Sequence, residues 1–498
     1  MENAPAKSLE VVVAAIAAGI SGDALLRAGS PGINVFLWAA LLVGLVVFLA
    51  RGRPIVSVRD DAAAAGALLL FAAGFAWRAA PLLLLLDLFA LGVVVSLAAL
   101  RVPVVRLRAS SLGEYVRGAF LAAVHIAFGP LLLVFKDLDW KGDLRTTRFR
   151  RAVAVAGGLM LGVPLLLLFG SLLMGADAVF ASLVRRTFHL DFLQLFSHLF
   201  LILFFAWIVG GFLRGIFFFD PGSVSLPPAP KRFGLGITEI AVALGAVDAL
   251  FLAFVSVQFR YFFGGAGLVD VMPGMTYAEY ARHGFFELVA VSALVLPLLL
   301  GTHWLLRNQT PRAKGIFRMV AGIQVALVFV IMGSAVERMR LYQQAYGLTE
   351  LRIYTTAFMA WLAVVFVWLV LTVFRGRRER FTFGAMVAGF CAVLALNVIN
   401  PDALIARVNA RRAAEGHSFD ADYVHFLSAD AVPALIDALP ELAAPDRCAV
   451  ARTLLDRWSG PRSSGWRSWN YSRFRARAAV TEHKADLERL GNLSAACP

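Results

Sequence analysis

Eleven windows of about 20 mostly apolar residues follow one another along the chain, and each is long enough to cross a hydrocarbon core as a helix. They fall at 9–27, 32–50, 61–79, 81–100, 152–174, 192–213, 235–258, 285–306, 316–335, 353–374 and 382–399. Lipid supplies no hydrogen-bond partners, so a spanning segment must satisfy its own backbone as a helix or within a closed barrel. The windows are continuously apolar and do not alternate, which excludes a barrel. The chain is therefore expected to be all-α: a polytopic transmembrane helical bundle of about 11 spans with a small C-terminal helical extramembrane domain. Hydrophobic residues make up 60% and charged residues 16%, against roughly 45–50% and 25% in a soluble domain. The apolar run Val11 to Ile20 continues to Leu26 without a cleavage site, and is read as a retained first span, not a signal peptide.

The net charge of +14 does not point to nucleic acid, because the basic residues sit at the ends of apolar runs and form no single stripe. Their distribution instead sets the orientation. The segment 112–135 is apolar but carries Glu114, Arg117 and His125 and is interrupted by Gly129-Pro130. If it does not cross, 25 Lys and Arg gather on the side of the N-terminus, and nine lie in the opposite short loops. That side is then cytoplasmic by the positive-inside rule. The expected organisation is four transmembrane helices over 1–100, a basic cytoplasmic loop with an interfacial or re-entrant helix over 101–151, a seven-helix transmembrane domain over 152–399, and an extracytoplasmic helical domain over 400–498. The location that follows is a bacterial cytoplasmic (inner) membrane, crossed several times.

From Asn400 the chain changes character, with 13 basic and 12 acidic residues in 99. Pro401 suits a first helical position, and further amphipathic stretches fit 429–439, 446–458 and 472–490. The stretch Trp466 to Arg473, rich in aromatic and Arg residues, reads either as a docking segment at the membrane interface or as a site for an anionic or sugar-like ligand. Cys448 and Cys497 could pair as a disulfide if the domain is exported, or stay as free thiols if it is not.

Ionisable groups within spans are costly and therefore functional suspects. Asp87 and Asp248 are the two that lie well inside, and they suit a relay or ion path. A denser set lies in the expected outer loops: Gln258, Arg260, Tyr261, Tyr277, Glu279, Tyr280, Arg282 and Glu287, then Arg338, Arg340, Tyr342 and Arg352. Arg forks and Tyr faces at span ends can build a pocket for an anionic headgroup, and the same residues can equally form an aromatic belt tied by salt bridges. There is no Walker loop, nucleophile elbow, zinc-protease motif or Cys pair at metal spacing, so no metal and no cofactor is expected and no catalytic residue is assigned. Gly210-Gly211 and Gly157-Gly158 read as close helix contacts.

Ser171 to Phe180, Thr238 to Gly265, Thr276 to Leu288, Glu337 to Arg352 and Trp466 to Arg473 resemble the bacterial membrane proteins grouped as the domain of unknown function 4173 family, with the 4153 family as a near neighbour. The resemblance implies a polytopic membrane protein without an assigned activity, and draws attention to the outer loops. Three functions compete. The first is a non-enzymatic envelope scaffold, sensor or accessory protein that contacts the lipid bilayer and an envelope protein or anionic headgroup. The second is a small-solute transporter or channel. The third is a membrane enzyme acting on a lipid-linked or envelope substrate, with Glu279, Glu287 or Asp177 as acid or base.

Overall fold

The computed structural model describes residues 4–27, 29–51, 58–100, 112–137, isolated positions between 162 and 182, and then 192–218, 234–263, 284–306, 310–460 and 465–491. Its membrane part is built from α1 (Ala4–Leu26), α2 (Ile33–Ala50), α3 (Val58–Trp77), α4 (Pro81–Leu100), α5 (Leu112–Leu132), α6 (Phe192–Phe218), α7 (Ile237–Phe263), α8 (Phe285–Leu305), α9 (Pro311–Tyr346), α10 (Glu350–Thr372) and α11 (Phe381–Ile399). Among the described residues ten helices are long and apolar enough to cross a membrane. The protein is thus an all-α, polytopic membrane protein.

Two segments depart from the sequence windows. In α3 the apolar stretch Ala62–Trp77 is too short to join those ten, because Arg59, Asp60 and Asp61 occupy one end and Arg78 follows the other. The helix α5 is not interrupted at Gly129-Pro130; it runs through Pro130 and ends in a π-helical turn, Leu133–Asp137. Proline removes the amide that would have bonded the carbonyl four residues earlier. That carbonyl, Ile126 O, packs directly against Gly211 of α6, where no side chain stands in the way. The window 152–174 lies largely outside the described residues.

Apolar side chains of α7, α8, α9 and α10 form the largest core, with Ile240, Leu299, Val328 and Phe366 fully enclosed. A second cluster joins α2, α3 and α4 to α11 through Phe71, Ala72 and Phe390. A third joins the start of α1, the end of α2, Leu133 and Val209 and Leu213 of α6. Small residues set the closest approaches: Gly19 of α1 lies against the Ile202 carbonyl of α6, and Gly129 of α5 against Gly211. Large apolar side chains such as Leu85, Phe89, Phe128, Phe200, Val242 and Leu294 point away from the protein, where lipid would cover them.

The C-terminal module packs α12 (Pro401–Ala414), α13 (Val432–Ala438), α14 (Ala444–Trp458), α15 (Tyr471–Glu482) and α16 (Lys484–Gly491) with short 3₁₀ turns between them. Ile405, Leu435, Val450, Leu454, Val480 and Leu487 form its core. The expected helix over 472–490 is two helices, broken at His483. The single residue Asn400 joins α11 to α12 with φ 57°, and its side chain accepts the Ala403 amide at 3.3 Å. Asn is one of the few residues that enter the left-handed region readily and cap a helix at the same time.

The module rests on one end of the bundle. The Ile33 amide donates to Trp469 O at 2.8 Å, and Arg473 Nη2 donates to Pro31 O at 2.6 Å. Arg412 caps the last carbonyls of α9 at Gln344 and Ala345, while Asn409 pairs with both backbone groups of Leu348 at 2.7 and 2.9 Å. Gly347, with φ 74°, lies where a Cβ would collide with Asn409. The C-terminal ends of α1, α3, α9 and α11 and the N-terminal ends of α2, α4 and α10 therefore share the module face.

Candidate functional site

The module and the membrane helices meet through buried polar groups, and Asp430 is the hub. Its helical turn, Ala429–Ala431, is capped by Ser428, whose hydroxyl accepts the Asp430 amide at 3.2 Å. The fully enclosed carboxylate then points at the α3–α4 turn. Its Oδ2 accepts the amides of Ala79 and Ala80 at 2.6 and 3.0 Å. Its Oδ1 lies 3.4 Å from Arg78 Nη1 and also accepts the Ser472 hydroxyl. Asn470 Nδ2 donates to the carbonyls of Phe75 and Arg78 at 2.8 and 2.7 Å. Pro81, having no amide to donate, opens α4 directly after the two amides that Asp430 holds.

The polar groups continue into the bundle. Arg78 Nε donates to Asn397 O at 2.7 Å, and Asn397 Nδ2 donates to Asp87 Oδ1 at 2.9 Å. Asp87 is completely buried, and Gly74 makes room for it, since a Cβ there would collide with Oδ2. Tyr354 of α10 stands in the field of Asp402, Glu350, Asp430 and Asp87, and the Glu350 and Asp402 carboxyls are in hydrogen-bond contact. Asp402 Oδ2 accepts the Ser428 amide at 2.9 Å. Burial, and behind it the charge of Asp430, raise Asp402 above the usual carboxylate range, although the hydrogen bonds from Ser428 act the other way. Three buried atoms here have no protein partner, Asp87 Oδ2, Asn397 Oδ1 and Tyr354 Oη, and Asp402 Oδ1 receives no hydrogen from a protein donor. Such atoms are costly unless a proton, a water or a bound species completes them.

The residues singled out from sequence are divided among several places. Asp87 belongs to this junction, whereas Asp248 lies in α7. Asp248 Oδ1 and both polar atoms of Gln324 in α9 are buried without a partner. Ten residues further along both helices, the Ser334 hydroxyl donates to Gln258 Oε1 at 3.0 Å. Arg352 is occupied by the protein itself: it bonds the Tyr346 and Gly347 carbonyls and stacks at 3.9 Å on the Tyr342 ring. Arg340 pairs with exposed Glu337 at 3.4 Å, Arg338 lies beside Gly284, and Glu287 is exposed in the first turn of α8. Tyr277, Glu279, Tyr280 and Arg282 lie outside the described residues, as do the side chains of Arg260 and Tyr261. Among the described residues no three His, Cys, Asp or Glu side chains are grouped as a metal site would need. Cys448 is disulfide-bonded and Cys391 is free, while Cys497 lies outside the described residues.

Sequence reasoning passed over Arg78, Asp402 and Asp430. The available signal was weak: an Arg directly behind Trp77 at the end of an apolar run, and a Ser-x-Asp turn ahead of α13. The Trp466 to Arg473 segment lies on the protein itself, bonded to the turn that starts α2 and to the end of α3, and Trp466 remains exposed. The family model described as Domain of unknown function (DUF4153) matches residues 65–438. It is the near neighbour of the family that the loop motifs resemble, and the match takes the place of that resemblance. No curated protein and no solved structure matches the chain.

Proposed function

Since the chain belongs to the family of Domain of unknown function (DUF4153), whose description carries no activity, we propose its role from the junction: a non-enzymatic scaffold or sensor of the bacterial inner membrane. Its helical module faces the extracytoplasmic side and responds as one body with the bundle beneath it. The observation that carries this reading is Asp430, a module carboxylate that holds the amides and guanidinium of a turn between two membrane helices. A force or ligand acting on the module would reach α3 and α4 through those bonds. The orientation draws support from charge: Arg51, Arg307 and Arg375 to Arg380 flank helix ends opposite the module, as the positive-inside rule requires of a cytoplasmic face. The disulfide-bonded state of Cys448 suits an oxidising compartment, and we take Cys497 as its partner.

The test is complementation of a deletion strain, with protein abundance measured in parallel. A scaffold or sensor predicts that Glu279→Gln and Glu287→Gln restore the wild-type phenotype, while Asp430→Ala fails even where the protein accumulates. The reverse pattern would favour the enzyme.

A second reading, transport of a small solute, draws on Asp248 and Gln324, whose buried polar atoms lack partners between α7 and α9. Uptake or efflux by the purified protein in vesicles, abolished by Asp248→Asn, would move the function there.

A further inference from the structure

The junction holds more acid than base. Asp87 reaches it from α4, Glu350 from α10, and Asp402 and Asp430 from the module, and the charges of all four act on Tyr354. Arg78 is bonded to Asp430, so the Asp430 charge is matched. Glu350 and Asp402 face each other, and two carboxylates in hydrogen-bond contact cannot both be ionised without strong repulsion. A carboxyl can bond another only when one of them supplies a proton. The Asp402 oxygen left without a donor is the feature such a proton would explain, because Asp402 is fully buried and its other oxygen is held by Ser428.

We propose that Glu350 and Asp402 form a proton-binding site, one proton held between the two carboxyls, and that its occupancy keeps the module seated on the bundle. The ligand is the proton itself. Glu350 opens α10 and Asp402 lies in the first turn of α12, so loss of the proton places two negative charges between a membrane helix and the first helix of the module. The two helix N-termini on which the pair sits favour negative charge, but the side chains around it supply no cation. Tyr354 on α10 is neutral, and Arg352 beside it is turned to the α9 carbonyls. From the module, Tyr423 accepts the Glu350 amide at 2.9 Å and Asp430 adds negative charge. Asp87 on α4 adds more, and Arg78 is committed to Asp430. The inference rests on the reading of the module and bundle as one body, and supplies the chemistry by which a sensor of that kind would respond.

The experiment is infrared difference spectroscopy of the full-length protein in nanodiscs as pH is raised, with the carboxylic-acid carbonyl band as the readout. The proposal expects a band that titrates away, is lost in Asp402→Asn and is lost or displaced in Glu350→Gln, with the module becoming more sensitive to protease as the band disappears. Should Asp402→Asn not fold, the half-buried Glu350→Gln variant carries the same test. An acid band unaffected by both substitutions would overturn the site, and so would a junction that responds to added sodium or calcium ions at fixed pH and not to protons. The result is independent of the side the module faces: a cytoplasmic C-terminus would defeat the proposed orientation and leave the titration intact.

Discussion

A guanidinium enclosed beside a membrane helix is expensive to hold without its carboxylate, so the Arg78–Asp430 pair is best judged by what remains when one partner is removed. Asp430→Ala leaves Arg78 unpaired and exposes the Ala79 and Ala80 amides to an apolar surround. A loss of about 3–5 kcal/mol is expected for breaking a buried pair of this kind, read as a lower unfolding temperature of the detergent-solubilised protein. Asp430→Asn keeps the acceptor oxygen and should cost less. A stability change no larger than that of an exposed control, such as Glu337→Ala, would remove the hub role. Asp402 acts in the opposite sense with pH. Its folded-state value is raised, chiefly by burial, so the folded chain keeps a proton that the unfolded chain releases above about pH 4. Stability from this group is complete below that pH and declines as pH rises toward the folded value. Unfolding temperatures across pH should therefore fall less steeply in Asp402→Asn than in the wild type, and parallel curves would argue against the assignment. Asp87 was legible in the sequence because a carboxylate inside an apolar run contradicts its surroundings. Arg78 and Asp430 were not: each sits at a helix boundary, where charge is ordinary, and 352 positions separate them.

Helices of this bundle approach one another through glycine where their backbones touch. Gly19 of α1 faces the Ile202 carbonyl, and Gly211 of α6 faces Ile126, so in both places backbone, not a yielding side chain, would meet an added Cβ. Without a hydrophobic drive between helices in lipid, such close packing carries much of the association. Gly19→Val and Gly211→Val are each expected to lower stability by about 1–3 kcal/mol, the range for overpacking, seen as less monodisperse protein after detergent extraction. Gly44→Val on α2, where nothing lies within 4 Å, is the silent comparison; equal losses at all three positions would mean that propensity, not contact, is responsible. The Gly210-Gly211 pair carried this information in the sequence, since two small residues in a long apolar helix have few other uses. The elements themselves were legible for the same reason: apolar length fixes a spanning helix almost regardless of detail. Two boundaries escaped. Pro130 signals a break, yet the carbonyl it frees is accommodated against Gly211. The extent of α9, 36 residues or about 54 Å of helix, exceeds its apolar window because Arg412 and Arg352 satisfy its terminal carbonyls beyond the membrane.

For the whole molecule, the decisive question is how often the chain crosses between α4 and α6. Helix α4 leaves the module face at Pro81, and its 20 residues carry it about 30 Å away. Helix α6 begins at the module face, where His198 Nδ1 lies 2.6 Å from Asp23 and Arg27 reaches Ser197 at 2.9 Å, both beside the end of α1. An odd number of crossings must lie between them. Two apolar segments of the sequence lie between them, α5 and the 152–174 window, most of which is outside the described residues. The contacts of α5 favour the window as the crossing segment. Ala127 O accepts Trp207 Nε1 at 3.0 Å, Ile126 and Gly129 meet Gly211, and Asp137 lies 2.6 Å from Arg214. These contacts fall between Trp207 and Arg214, toward the end of α6 remote from the module, although α5 is apolar enough to cross. We therefore expect both flanks of α5 on the cytoplasmic side. Single cysteines introduced at Arg106 and Lys141, in a chain carrying Cys391→Ala, should resist a membrane-impermeant thiol reagent in intact cells and react after permeabilisation. Labelling of Lys141→Cys alone from outside would make α5 the crossing helix, strand the 152–174 window on one side, and place the basic stretch from Lys141 to Arg151 where the positive-inside rule disfavours it.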